Sequence, residues 1–304
     1  MSRFGRVFDR YRELIPGFPE FLEAVERPCP LHVRVNTLKT RAERVRQALE
    51  AAGRAVAAEP WWPLLLRCDA DEQAALGATL LHGLGHIYIQ SASSALAALC
   101  LGAQPGDAVL DLCAAPGSKT TLLAQLMEDR GLLVSNEPNR RRQRSLVANV
   151  ERMGATCVLI TGYAGQNFPL RQRFARVLVD APCSGEGTWR GPRARPRAVR
   201  PELRRHLHRQ QSALLRRGYE VLEPGGVLVY STCTFAPEEN EAVVGPFVAE
   251  TGARVLPLER DPAGEPGLTE WEGQRWPAEL ARARRLYPHR LDSEGFFVVR
   301  LAKP

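Results

Sequence analysis

From residue 108 onward, short apolar runs alternate with stretches of helical periodicity, and this alternation restricts the fold of the 304-residue chain more than any other feature. Strands are predicted at Ala108–Leu112, Leu132–Ser135, Cys157–Ile160, Val177–Val179, Val227–Ser231 and Phe296–Arg300. Helices are predicted at Lys119–Asp129, Arg140–Met153, Leu203–Leu222 and Pro237–Glu250. Such short, nearly continuous apolar strands are buried on both faces, which requires helices above and below them. The pattern therefore predicts an α/β fold with a mostly parallel, doubly wound, Rossmann-like sheet. In these sheets ligands bind beyond the carboxyl ends of the strands, so the loops leaving those ends carry the candidate chemistry.

The part before this sheet divides in two. Residues 1–30 read as a helical lead with Phe4, Phe8, Tyr11 and Leu14 at helical spacing, broken by Pro16, Pro19, Pro28 and Pro30. Residues 31–85 read as a small α/β unit: an alternating run His32–Asn36, a helix Arg41–Ala52, and strands at Ala55–Ala58 and Leu64–Arg67. Residues 86–304, opening at Ile87-Tyr88-Ile89-Gln90, form the main domain. A 44% hydrophobic content is ample for that core, and a net charge of +7 suits a polyanionic partner. Seven cysteines without a C-x-x-C pair read as reduced thiols, not as a zinc ribbon or disulfide scaffold. His82 and His86 are four apart, but Gly83 and Gly85 argue against a helix there, and no metal is expected. The opening segment has no apolar core and no run of about 18 apolar residues follows, so a soluble cytoplasmic protein is expected.

The first loop of interest joins the strand ending at Leu112 to the next helix and reads Cys113-Ala114-Ala115-Pro116-Gly117-Ser118-Lys119. Small residues let a ligand approach the backbone, and the helix N-terminus offers free N–H groups to a carboxylate or phosphate. It is neither a Walker loop nor a G-x-G-x-x-G turn. Glu137 ends the following strand, where an acid accepts hydrogen bonds from ribose hydroxyls. A nucleoside cofactor follows from the two together. Further on, Asp180-Ala181-Pro182-Cys183-Ser184-Gly185-Glu186-Gly187 and Ser231-Thr232-Cys233-Thr234 leave two other strands on the same face. Asp180, Cys183 and Cys233 therefore converge on one cleft.

These segments resemble the motifs of the NOP/Sun (RsmB/RsmF) family of RNA cytosine-C5 methyltransferases. Arg34-Val35-Asn36-Thr37-Leu38-Lys39, Tyr88-Ile89-Gln90-Ser91-Ala92-Ser93-Ser94 and Glu294-Gly295-Phe296-Phe297 match as well, and the similarity is greatest to the bacterial branch acting on small-subunit ribosomal RNA. The resemblance implies a class I methyltransferase fold preceded by an RNA-recognition-like unit, with S-adenosylmethionine as cofactor. It implies that Cys233 is the nucleophile, that Cys183 assists release of the product, and that Asp180 touches both cofactor and cytosine. It further implies that residues 113–119, Glu137 and Arg142 bind the cofactor. Relatives carry an aspartate on the adenine amino group where this chain has Ala164, so weaker cofactor binding, or compensation by a backbone carbonyl or Asn167, is expected.

Covalent catalysis explains why two thiols are needed. Carbon 5 of cytosine is a poor nucleophile until a thiolate adds to carbon 6, and a second group then helps the thiol leave. RNA contacts are expected from Arg34, Lys39 and the arginine-rich run that holds Arg190, Arg193, Arg195 and Arg197, since guanidinium forks match phosphates. Trp61 and Trp62 are read mainly as packing, Glu238, Glu239 and Glu241 as helix caps, and Asp261–Trp276 as an insertion loop. The partner expected for this chain, read as a monomer, is ribosomal RNA or the small ribosomal subunit. Alternatives are a transfer RNA, a DNA cytosine methyltransferase, and a non-catalytic assembly factor that keeps the fold.

Overall fold

The computed structural model describes residues 3–68, 73–260 and 263–304. The lead forms two short helices, α1 (Arg3–Phe8) and α2 (Phe18–Glu26). Phe4, Phe8, Tyr11, Phe18 and Phe21 are buried in one cluster with Phe235 and Tyr287. Phe8 and Phe235 meet edge to face with centroids 5.6 Å apart. The lead is thus clamped onto the segment that follows Cys233.

The small unit contains β1 (Leu31–Val35), α3 (Ala42–Ala51), β2 (Ala57–Glu59), β3 (Trp62–Cys68), the short helices α4 (Gln73–Gly77) and α5 (Leu80–Gly83), and β4 (Ile87–Ile89). These strands form one antiparallel sheet in the order β2-β3-β1-β4. Ile87–Ile89 therefore completes the small sheet, with Ile89 opposite Val33 on β1, and does not open the main domain as the sequence suggested. Along β1 the apolar Val33 and Val35 pack with Val45 and Leu49 of α3, while the alternate residues His32 and Arg34 face the other way. Trp62 is buried and Trp61 packs against the main core.

The main domain follows as α6 (Ala92–Leu101), β5 (Ala108–Asp111), α7 (Ser118–Leu126), β6 (Leu132–Asn136), α8 (Arg140–Met153), β7 (Val158–Thr161), β8 (Phe174–Asp180), α9 (Pro201–Glu220), β9 (Leu222–Thr232) and α10 (Glu241–Thr251). Short strands β10 (Arg254–Leu256), β11 (Glu265–Pro266), β12 (Glu270–Trp271), β13 (Gln274–Arg275) and β14 (Arg284–Leu286) precede α11 (Pro288–Leu291) and β15 (Phe296–Ala302). The nine-stranded sheet runs β11-β14-β15-β9-β8-β5-β6-β7, with β10 beside β15. β5 to β9 are parallel and the edge strands from β15 outward are antiparallel. The strand order reverses between β5 and β8, and the crevice at that switch point is where the candidate loops emerge.

Two expectations change here. Residues 263–276, expected as a loop, contain β11 and the β12–β13 hairpin, while residues 261 and 262 of that loop lie outside the described residues. The helix expected from Pro237 begins only at Glu241, after a tight turn over Pro237–Glu239. Among the described residues no helix is long and apolar enough to cross a membrane.

Candidate active site

The loop Cys113–Lys119 is shaped by its contacts with β6 and α8. The Ala114 N–H donates to the Asn136 carbonyl at 2.9 Å, and the Asn149 amide donates to the Pro116 carbonyl at 2.9 Å. Gly117 has φ +105°, and a Cβ there would lie 3.0 Å from Leu146, so only glycine fits the turn. It precedes Ser118 without a side-chain cap, which leaves the first N–H groups of the nine-residue α7 free for an anionic ligand. Asp111, at the end of β5, is wholly buried under this loop. Burial pushes its carboxyl up to about 7, against a 2.7 Å hydrogen bond from Thr120.

Glu137 is buried at the end of β6. It accepts from the Asn139 N–H at 2.8 Å and lies 3.2 Å from Arg142, which in turn donates to the Ala115 carbonyl at 2.7 Å. Arg142 therefore ties the acid to the loop. Asn136 holds the neighbouring turn through the Tyr163 N–H and carbonyl, both at 2.9 Å. Ala164 is exposed at this turn, and its carbonyl already accepts from the Asn167 N–H at 2.8 Å.

Asp180 ends β8 and receives Lys119 Nζ at 2.7 Å on one oxygen and Ser231 Oγ at 2.7 Å on the other. Burial opposes the charge of Lys119, but Asp180 outweighs it and the ammonium is held above its ordinary value. Lys119 also donates to Ser94 Oγ at 2.9 Å and sits 5.6 Å from the Phe296 ring centre. Its position is thus set by α6, α7, β8 and β15 at once.

Cys183 and Cys233, fifty positions apart, bring their sulfurs to 3.2 Å. The hydrogen bond to Cys233, and then burial, push the Cys183 thiol well above the usual cysteine range. Cys183 consequently stays protonated at neutral pH, and the two sulfurs share one hydrogen bond. Cys233, with Asp180, Lys119, Ser94 and Phe296, lines a cavity of about 420 Å³ that the small unit walls on the other side. Lys119 also lies within electrostatic reach of Cys233.

A buried polar network fixes both cysteine loops. Glu186, in the Cys183 loop, accepts from Tyr11 at 2.6 Å, Arg204 at 2.8 Å and Thr234 at 3.1 Å. Glu239 accepts from the Ser184 N–H at 2.9 Å and from Gln211 at 3.0 Å, and burial raises its carboxyl. Glu241 is fully buried against Arg285. Glu239 and Glu241 are therefore braces between loops and not helix caps, as their acidity next to a helix start had suggested. The Gly187 N–H donates to the Cys233 carbonyl at 2.9 Å, and a Cβ at Gly187 would meet the Gly295 carbonyl oxygen at 2.2 Å, so the loops touch backbone to backbone.

Of the residues expected to face RNA, Arg34 and Arg190 are turned inward and the exposed Lys39 is engaged by backbone carbonyls. Arg34 is completely buried and donates to Gln90 at 3.0 Å, Gln125 at 2.6 Å and Thr121 at 2.7 Å, riveting β1 to α7. Lys39 spends its ammonium on the Leu84 and Arg152 carbonyls at 3.1 and 2.7 Å. Arg190 is buried against Asp292 and the Ser293 carbonyl. By contrast Arg193, Arg195 and Arg197 are exposed on the loop after Cys183. The sequence reading missed Ser94, Asn136, Arg204, Ser231 and Tyr11, whose roles depend on partners far away along the chain. Among the described residues no cluster of three or more histidine, cysteine or acidic side chains could hold a metal.

A sequence model of the family described as "16S rRNA methyltransferase RsmB/F" matches residues 98–302. The chain is 36% identical to a ribosomal RNA small subunit methyltransferase F of Cronobacter sakazakii, over 100% of this chain and 65% of that protein. It is 34% identical to a tRNA (cytosine(49)-C(5))-methyltransferase of Pyrococcus abyssi, over 98% of this chain and 96% of the relative. A solved methyltransferase homolog protein from Pyrococcus horikoshii superposes with a TM-score of 0.84 at 34% identity, covering 99% of this chain and 93% of that one. Several curated relatives are longer, and the chain spans 37% to 65% of their length. With its two cysteine loops and its parallel sheet already in place, the chain belongs to the family described as 16S rRNA methyltransferase RsmB/F.

Proposed function

We propose that this chain methylates carbon 5 of a cytosine in RNA, with small-subunit ribosomal RNA as substrate and S-adenosylmethionine as methyl donor. The observation that carries the reading is the pair of sulfurs 3.2 Å apart, of which Cys233 lines the cavity beside Asp180 and Lys119. The relative from Cronobacter sakazakii and the family description both name ribosomal RNA of the small subunit.

The donor supplies an electrophilic methyl sulfonium. Its fit rests on the small-residue loop 113–119, the free N–H groups at the start of α7 for its carboxylate, and Glu137 for its ribose, with Arg142 holding these parts together. Cys233, as thiolate, adds to carbon 6 of cytosine. The Lys119 ammonium, held by the Asp180 carboxylate, meets the negative charge that develops at ring nitrogen 3, and Phe296 gives the base an apolar face. Carbon 5, now enamine-like, would take the methyl group as the donor's S–CH3 bond breaks and its sulfur leaves as a neutral thioether. The proton on carbon 5 then passes to a base, the ring double bond re-forms, and the Cys183 thiol steadies the departing Cys233 sulfur. Arg193, Arg195 and Arg197 grip phosphates next to the cleft.

The test is transfer of labelled methyl from S-adenosylmethionine to ribosomal RNA. Incorporation at a cytosine of small-subunit RNA supports the reading, and no incorporation into any RNA overturns it. A transfer RNA substrate is the second reading, favoured by the similarity to the Pyrococcus abyssi enzyme over nearly its whole length.

A further inference from the structure

The wall of the Cys233 cavity that comes from the small unit holds two buried polar side chains with unused hydrogen-bonding atoms. His32 on β1 is 2% exposed and Gln90, just after β4, is 4% exposed, and both line the cavity. They are neighbours across the sheet, since the Gln90 N–H donates to the His32 carbonyl at 3.0 Å. Among the described residues, neither His32 Nδ1 nor Gln90 Nε2 has a hydrogen-bond partner. Leaving such groups unpaired in a protein interior is unfavourable, so their orientation implies a polar group that completes them.

The chemistry of that group follows from their other bonds. Arg34 can only donate, so its 3.0 Å contact fixes the Gln90 oxygen toward Arg34 and leaves the amide N–H groups unpartnered. Glu59 lies 2.8 Å from His32 Nε2 and, as an acceptor, keeps the proton on that nitrogen. Nδ1 is then a lone-pair acceptor. An acceptor next to a donor is completed by a hydroxyl, which can give to one and receive from the other. The base-facing side of the cavity is already formed by Asp180, Lys119 and Phe296; Pro116 and Ser118 of the donor loop line it too, but Glu137, the proposed partner of the donor's ribose hydroxyls, does not. The hydroxyl therefore belongs to the RNA and not to the methyl donor.

We propose that His32 and Gln90 form a subsite for the 2′-hydroxyl of the target cytidine, by which the small N-terminal unit selects RNA over DNA. This rests on the methylation reading above. Arg34, expected by residue type to be a phosphate ligand, acts as the positioning residue that orients Gln90.

The experiment compares methyl incorporation into transcripts of small-subunit ribosomal RNA and of transfer RNA, each made with cytidine or with 2′-deoxycytidine throughout. The unaltered chain should methylate the cytidine transcript at least about tenfold faster, the effect of one or two buried hydrogen bonds. Gln90→Glu keeps the size and the bond from Arg34 but removes the donors, and His32→Phe keeps the ring but removes the acceptor. Each should slow methylation of the cytidine transcript about tenfold and leave the deoxycytidine rate unchanged, so that the ratio falls toward one. The ratio does not depend on the fraction of each variant that folds. A ratio preserved in both variants, or no preference in the unaltered chain, overturns the subsite while leaving the methylation reading intact. No incorporation into any transcript by the unaltered chain overturns both.

Discussion

Cys183 and Cys233 sit at the ends of neighbouring parallel strands, β8 and β9, with their sulfurs 3.2 Å apart, yet only Cys233 borders the cavity. On the proposed mechanism, this asymmetry divides the work between two chemically identical side chains. Replacing Cys233 with alanine should abolish methylation and leave no adduct. Replacing Cys183 should let a covalent protein–RNA complex accumulate, visible as a shifted band on a denaturing gel. The opposite pattern would exchange the two roles.

The buried Tyr11–Glu186 hydrogen bond links the N-terminal lead to the Cys183 loop. Tyr11→Phe removes one of the donors to a buried carboxylate and should destabilise the protein by about 1–3 kcal/mol. Denaturant unfolding measures this loss. If the lead also sets the loop, kcat should fall while the KM for S-adenosylmethionine stays constant, because the proposed cofactor cradle lies on β5 and β6.

Arg193, Arg195 and Arg197 project from an exposed loop. Reversing all three to glutamate should weaken RNA binding and reduce the slope of log affinity against log salt by about 2, at roughly 0.7 per phosphate contact on a single strand. Arg34 reversal offers the contrast, because a buried arginine should cost stability and not salt dependence. An unchanged slope in the triple variant would remove this loop from the RNA surface.

Asp111 supplies a pH prediction. Burial raises its folded-state carboxyl to about 7, from an ordinary value of 3.8. Between these values the folded chain binds more protons than the unfolded one, so stability should fall as pH rises from about 4 to about 7 and level off above. In Asp111→Asn that component of the slope should vanish. Melting temperatures measured across this range for both proteins decide the matter, and parallel curves would refute the assignment.

The main sheet was legible because its strands are apolar on both faces and its helices repeat at 3.6 residues, which are local properties. The cysteine loops were legible for a related reason: a residue at the carboxyl end of a parallel strand must lie at the top of the sheet, wherever its partner is. Arg34 shows where this way of reading stops. Its place in an alternating run established that it shares a face with His32, but not whether that face meets water or another domain. Glu239 and Glu241 failed likewise, since an acid near a helix start suits a cap and a buried brace equally well until Gln211 and Arg285 are seen beside them.

By itself, the sequence determined the order of the parallel strands and the helices between them, and the face of the sheet on which the Cys183 and Cys233 loops emerge. Only the tertiary structure decided which charges are solvated and which are spent inside, that Ile87–Ile89 closes the small sheet, and that His32 and Gln90 share a cavity with Cys233. The division has a physical cause: periodicity and strand polarity are encoded over a few residues, whereas desolvation of a polar group depends on neighbours that only chain folding brings within a few ångströms.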